Sequence, residues 1–80
     1  MKLKDVETGS KCRVAGYQTD DRSYRKKLLQ MGLVRGAEFI VVRIAPLGDP
    51  VEIQLSGFNL TLRRQEADAI DVELVEGGSE

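Results

Sequence analysis

Histidine and tryptophan are both absent from this 80-residue chain, and it holds a single cysteine. Without histidine the chain lacks the commonest general base and the commonest metal ligand. Cys12 alone closes no disulfide within the chain, which points to a reducing, cytoplasmic setting. With two tyrosines, two phenylalanines and no tryptophan, the chain is short of the rings that base-stacking platforms and grooves for proline-rich peptides require. It also lacks an excess of either charge: 12 Lys and Arg against 13 Asp and Glu give −1. That balance argues against nucleic acid as a partner. The longest wholly apolar run, Phe39-Ile40-Val41-Val42, is far too short to cross a bilayer, and Met1-Lys2-Leu3-Lys4-Asp5 has no secretory apolar core. Direct membrane insertion is not expected, so any role at a membrane needs a partner that is already in one.

What is present reads as one small domain over residues 1–75, followed by a frayed tail at 76–80. Lys11 to Gly16 alternates charged and small residues, as a short strand does. Thr19, Asp20 and Asp21 offer caps for a helix from Asp21 to Met31, with Tyr24, Leu28 and Met31 on one face and Gly32 as its stop. Glu38 to Ile44 is rich in β-branched residues. Strict alternation sends Ile40, Val42 and Ile44 one way and Phe39, Val41 and Arg43 the other. Both faces are largely apolar, so the strand is expected to be central or covered on both sides. Helix cover is the simpler account, and a dimer or trimer stays open. Ala45 to Pro50 is a loop. Val51 to Leu55 and Leu60 to Leu62 alternate around a Ser56-Gly57 turn, Arg64 to Ala69 forms a helical turn, and Ile70 to Leu74 alternates again. Five short strands and one inserted helix fit a mainly β, partly open small barrel with the helix plugging or flanking it.

Nothing in this pattern assembles a nucleophile with a base, so an enzyme is not expected. Cys12 shares a strand face with Val14 and reads as a small buried hydrophobe. Glu66, Asp68, Asp71 and Glu73 read as a solvated outer face. No tightly bound cofactor is expected; the oxygens of Glu66, Asp68 or Asp71 leave room only for a weak site for Fe(II) or another divalent cation. Two segments suit contact with another protein. On the helix, Arg22, Arg25 and Lys26 surround Leu29 on the side away from Tyr24, Leu28 and Met31. The preferred reading of Leu29 is burial in a wide apolar stripe. The alternative leaves it as an exposed anchor within a basic rim, the layout of an interface hot spot. In the loop, Pro46 and Pro50 restrict the backbone around Gly48, and Asp49 can bond its own backbone. The result is a stiff display of Leu47, Gly48, Asp49 and Pro50.

Three stretches taken in order resemble a known family. They are Leu28-Leu29-Gln30-Met31-Gly32-Leu33-Val34-Arg35-Gly36, then Val42-Arg43-Ile44-Ala45-Pro46-Leu47-Gly48-Asp49-Pro50, then Leu60-Thr61-Leu62-Arg63-Arg64-Gln65-Glu66-Ala67. Together they are similar to the FeoA family, ferrous iron transport protein A, from about Lys11 to Val75. The resemblance implies an SH3-like barrel with a helical insertion. It also implies a cytoplasmic accessory or regulatory protein of bacterial ferrous iron uptake. The implied partner is the permease FeoB, through its cytoplasmic G-protein domain or a membrane-proximal region. A direct Fe(II) or transition-metal sensor or chaperone is the competing reading. A related SH3-like domain ends certain metal-dependent repressors, but this chain has no helix-turn-helix portion of its own.

Overall fold

A computed structural model of the protein describes residues 1–75; the tail expected at 76–80 lies outside the described residues. Five strands form one antiparallel sheet: β1 (Lys11–Tyr17), β2 (Glu38–Ile44), β3 (Val51–Leu55), β4 (Phe58–Leu62) and β5 (Ile70–Leu74). Their order is β4-β3-β2-β1-β5, so the sheet curls without closing and β2 sits at its centre. Helix α1 (Arg22–Gln30) lies between β1 and β2, and the short α2 (Arg64–Asp68) between β4 and β5. The mainly β, SH3-like arrangement with one helix inserted after the first strand therefore stands. A 3₁₀ turn over Leu3–Asp5, which the sequence pattern did not suggest, adds fully buried Leu3 to the core.

Alternation places Cys12, Val14, Phe39, Val41, Ile53 and Val72 on the inner face, where all are buried. Two β-bulges interrupt it. Between Val41 and Arg43 the β2–β3 register shifts, so Arg43 pairs with Glu52 and Ile44 with buried Val51. Ile44 therefore packs against the core and does not share a face with Ile40 and Val42, because the extra residue reverses the phase of everything after it. A second shift between Val14 and Gly16 brings Tyr17 opposite Ile70, on the core side. The outer face of β2 is not covered by the helix: Ile40 and Val42 remain 39% and 44% exposed.

α1 begins where Asp21 caps it, its Oδ1 accepting from the N–H groups of Ser23 (2.9 Å) and Tyr24 (3.4 Å). It ends in a Schellman motif, in which the N–H of Leu33 donates to Leu28 O (3.1 Å) and that of Gly32 to Leu29 O (3.0 Å). Gly32 takes φ +95°, and a Cβ built there would lie 3.0 Å from Leu55 Cδ2. The helix end is therefore fitted against the β3–β4 hairpin. That hairpin turns through Ser56 (φ 53°) and Gly57 (φ 82°), both left-handed, as a two-residue type I′ turn demands.

Glu66 is not on a solvated face. It is buried in the first turn of α2, where its Oε1 accepts from the Arg63 N–H at 2.9 Å and its Oε2 meets Lys27 Nζ of α1 at 2.8 Å. Burial alone would raise this carboxyl's pKa; the bonds from Lys27 and the Arg63 N–H outweigh it and hold the group below the usual carboxylate range. Asp71 is held low chiefly by the terminal ammonium of Met1, 2.8 Å away. Glu38 is held low by Arg13 and Lys11.

Two outcomes follow from this geometry. Gly32→Ala should destabilise the fold by about 1–2 kcal/mol, since it forces a side chain into left-handed backbone against Leu55; urea unfolding reads the loss. A carboxyl with a depressed native pKa stabilises fully above its unfolded value, and that contribution disappears as pH falls through the native value. The stability difference between wild type and Glu66→Gln should therefore be present at neutral pH and shrink on acidification. A difference that does not change with pH would show that Glu66 is not held as a charged partner of Lys27.

Candidate partner-binding site

The rotation of α1 is set by what its sides touch. Leu28 is fully buried, Tyr24 and Met31 pack partly against the core, and Lys27 reaches across to Glu66. Leu29 follows Lys27 by two residues, roughly 200° around the axis at 100° per residue, and so turns away from α2. It is 41% exposed. The wide-stripe reading of the sequence, which buried it, is thus corrected: the core takes one narrow stripe, and the ion pair occupies the flank that a wider stripe would need.

Around Leu29 lie exposed Arg22, Arg25 and Lys26, on a helix with no acidic residue of its own. Arg25 is the most constrained of the three. Its guanidinium carbon lies 5.5 Å from the centroid of the Tyr17 ring, and Nη2 donates to Thr19 O at 3.3 Å. Tyr17 is itself fixed, its hydroxyl donating to Leu33 O at 2.7 Å. The four residues singled out on this helix therefore share one exposed face: an apolar side chain amid three cations.

The second segment also takes a definite shape. In the loop, Gly48 N–H donates to Ala45 O (2.8 Å) and Ala45 N–H to Pro50 O (3.1 Å), with Gly48 at φ +78°. Leu47 stands at its tip, 85% exposed. Asp49 does not bond its own backbone as expected; its Oδ1 accepts from the N–H of Arg64 at 3.2 Å, where α2 begins and N–H groups are free to donate. The loop is thus tied to α2, the element from which Leu29 faces away. Leu47, Gly48, Asp49 and Pro50 form a surface separate from that of Arg22, Arg25, Lys26 and Leu29.

A third feature was missed. Phe58, 72% exposed, borders an open groove of about 490 Å³ between the end of α1 (Gln30, Met31, Gly32) and the hairpin (Leu55, Ser56, Asn59, Leu60). Its alternation with Leu60 and Leu62 was visible in the sequence. Its exposure was not, because that follows from where the hairpin tip lies relative to α1.

The metal candidates do not come together. Cys12 is buried and its thiol pKa is pushed up by that burial, away from the thiolate a metal or electrophile would meet. Glu66 is committed to Lys27, Asp71 to the Met1 ammonium, and Asp68 has Arg64 Nε at 3.9 Å. Among the described residues no group of three or more His, Cys, Asp or Glu is placed to hold a metal ion. Each carboxylate considered for a weak Fe(II) site, Glu66, Asp68 and Asp71, thus already faces a cationic group of the chain. Among the described residues, too, no helix is long and apolar enough to cross a membrane.

Comparison with known proteins bears on this geometry. The FeoA domain model matches residues 1–74. A protein of Porphyromonas gingivalis described as an Fe(2+) transport protein A/Fe(2+) transporter FeoB fusion is 38% identical over 76 residues, covering 94% of this chain. The chain spans only 9% of that relative's length. The solution structure of a FeoA-like protein from Clostridium acetobutylicum is 40% identical, with a TM-score of 0.81, covering 94% of this chain and 86% of that one. IdeR of T. acidophilum shares the fold alone: 17% identity and a TM-score of 0.83, over 94% of this chain and 34% of that one. The chain belongs to the FeoA family, which is associated with ferrous iron transport.

Proposed function

We propose that the protein is an accessory subunit of ferrous iron uptake that works by contact with the permease FeoB on the cytoplasmic side of the membrane, without catalysis of its own. The observation that carries this reading is the exposed face of α1. There Leu29 offers apolar area to a partner while Arg22, Arg25 and Lys26 supply positive charge around it. An apolar anchor within a charged rim favours association with a complementary, acidic protein surface, steered by charge and held by desolvation. The fusion of the two activities in the P. gingivalis relative supports FeoB as the partner. Its G-protein domain or a membrane-proximal region would supply the acidic surface. The loop from Leu47 to Pro50 is the second contact, stiff enough to lose little entropy on docking.

The test is an amide NMR titration of the labelled protein with the isolated cytoplasmic G-protein domain of its cognate transporter. Shifts should gather on α1 around Leu29 and on the loop around Leu47. Leu29→Glu, at a position already exposed, should fold normally and weaken binding at least tenfold, or about 1.4 kcal/mol. Raising salt should slow association, as expected for exposed charges. If folded Leu29→Glu and Leu47→Glu variants both bind as wild type does, the assignment of these surfaces fails.

A further inference from the structure

The two edges of the sheet are treated differently. The edge at β5 is occupied: Val72 N–H donates to Met1 O at 2.9 Å, and Lys2 Nζ reaches Asp68 O at 2.9 Å, so the start of the chain lies across it. Among the described residues the edge at β4 has no such cover. Leu55 and Phe58 close a two-residue hairpin and therefore exchange hydrogen bonds. Leu60 and Leu62, opposite Ile53 and Val51, then also turn their backbone groups toward β3. Asn59 and Thr61 are left with N–H and C=O pointing outward, and among the described residues no hydrogen bond reaches them there. The strand carries none of the usual protection: Phe58-Asn59-Leu60-Thr61-Leu62 contains no charge, no proline and no bulge. The groove beside it separates the end of α1 from Phe58, Asn59 and Leu60, so the helix does not seal this edge.

We propose that the occupant of this edge is a second copy of the chain, pairing β4 with β4 antiparallel about a two-fold axis through Leu60. The strand is self-complementary in that register. Asn59 faces Thr61 of the other copy, and each such pair exchanges two N–H···O=C bonds. Leu60 faces its own equivalent, and Phe58 faces Leu62, so apolar side chains continue across the junction on one face. Charge allows it as well. Arg63 and Arg64, the nearest cations, fall opposite Gly57 and Ser56, so no like charges meet. The contact is small: five residues a side fall well short of the ~1,200 Å² at which specific interfaces become stable. The dimer is therefore weak and forms only at high protein concentration.

The experiment uses the chain alone and is independent of any FeoB contact. Sedimentation equilibrium between roughly 20 μM and 1 mM should show a monomer giving way to a dimer, as a small interface of this class requires. Over the same range, amide exchange should slow at Asn59 and Thr61 while Phe58 and Leu60, already bonded to β3, stay unchanged. Thr61→Pro removes an outward N–H that the native strand does not use, and should weaken the dimer at least tenfold. Should that variant fail to fold, Asn59→Lys combined with Thr61→Lys alters only exposed side chains and sets like charges opposite one another across the axis. A protein that stays monomeric throughout leaves this edge to a strand of another chain and overturns the proposal. So does a dimer that survives these substitutions or protects amides elsewhere.

Discussion

Glu66 is one carboxylate with two duties. Its Oε1 satisfies the Arg63 N–H, and its Oε2 holds Lys27 of α1. The first duty starts α2 without a capping side chain at Arg63; the second fixes the rotation of α1. An exposed Lys–Glu pair would contribute little, because water competes for both partners. Here one partner is withdrawn from water, and the lysine is what offsets the cost of burying it. Asp49 adds a third bond at the same place, accepting from Arg64 N. The N-terminus of a five-residue helix is thus where the loop over Ala45–Pro50 and helix α1 are both anchored.

That junction explains how much of the molecule was legible in advance. The strands and both helices follow from alternation, caps and breakers, because those are local properties. Asp21 and Gly32 end α1 where a cap and a left-handed glycine must. The burial of Glu66 was not legible, since in sequence it stands among Arg64, Gln65 and Asp68 and looks like any surface carboxylate. Only the approach of Lys27, 39 positions earlier in the same sequence, makes its burial tolerable. The exposure of Leu29 was hidden for the same reason. A helical wheel gives angles between side chains, and a tertiary contact decides which angle faces the core.

Strict alternation also failed at two particular residues. Val42 and Ala15 sit where the register shifts, and each reverses the faces of the residues after it. Without the first bulge Ile44 would join Ile40 and Val42 on the outside, making a larger exposed apolar strip. With it, Ile44 packs inward and the uncovered area shrinks to two side chains. A chain of this length can cover only part of its apolar surface. The bulge limits what is left open on β2 to Ile40 and Val42, and the two most exposed apolar side chains, Leu47 and Phe58, lie away from it, on a loop and on the edge strand β4.

The size of these surfaces sets the kind of contact they can support. Leu29 with its basic neighbours, or Leu47 on its loop, falls well below a standard interface of about 800 Å² per partner. Each alone would bind weakly and release quickly, as a transient regulatory contact does. Tethering changes that balance. Joining two modules by a short linker raises their effective concentration to the millimolar range and makes a weak contact persistent without adding any new surface. The P. gingivalis relative is described as a fusion of the two proteins in one chain. Where the two are separate molecules, the same weak surfaces leave occupancy open to control by protein level, charge screening and competition. On the proposed reading, a domain with an apolar anchor in a basic rim is suited to reversible regulation of the permease.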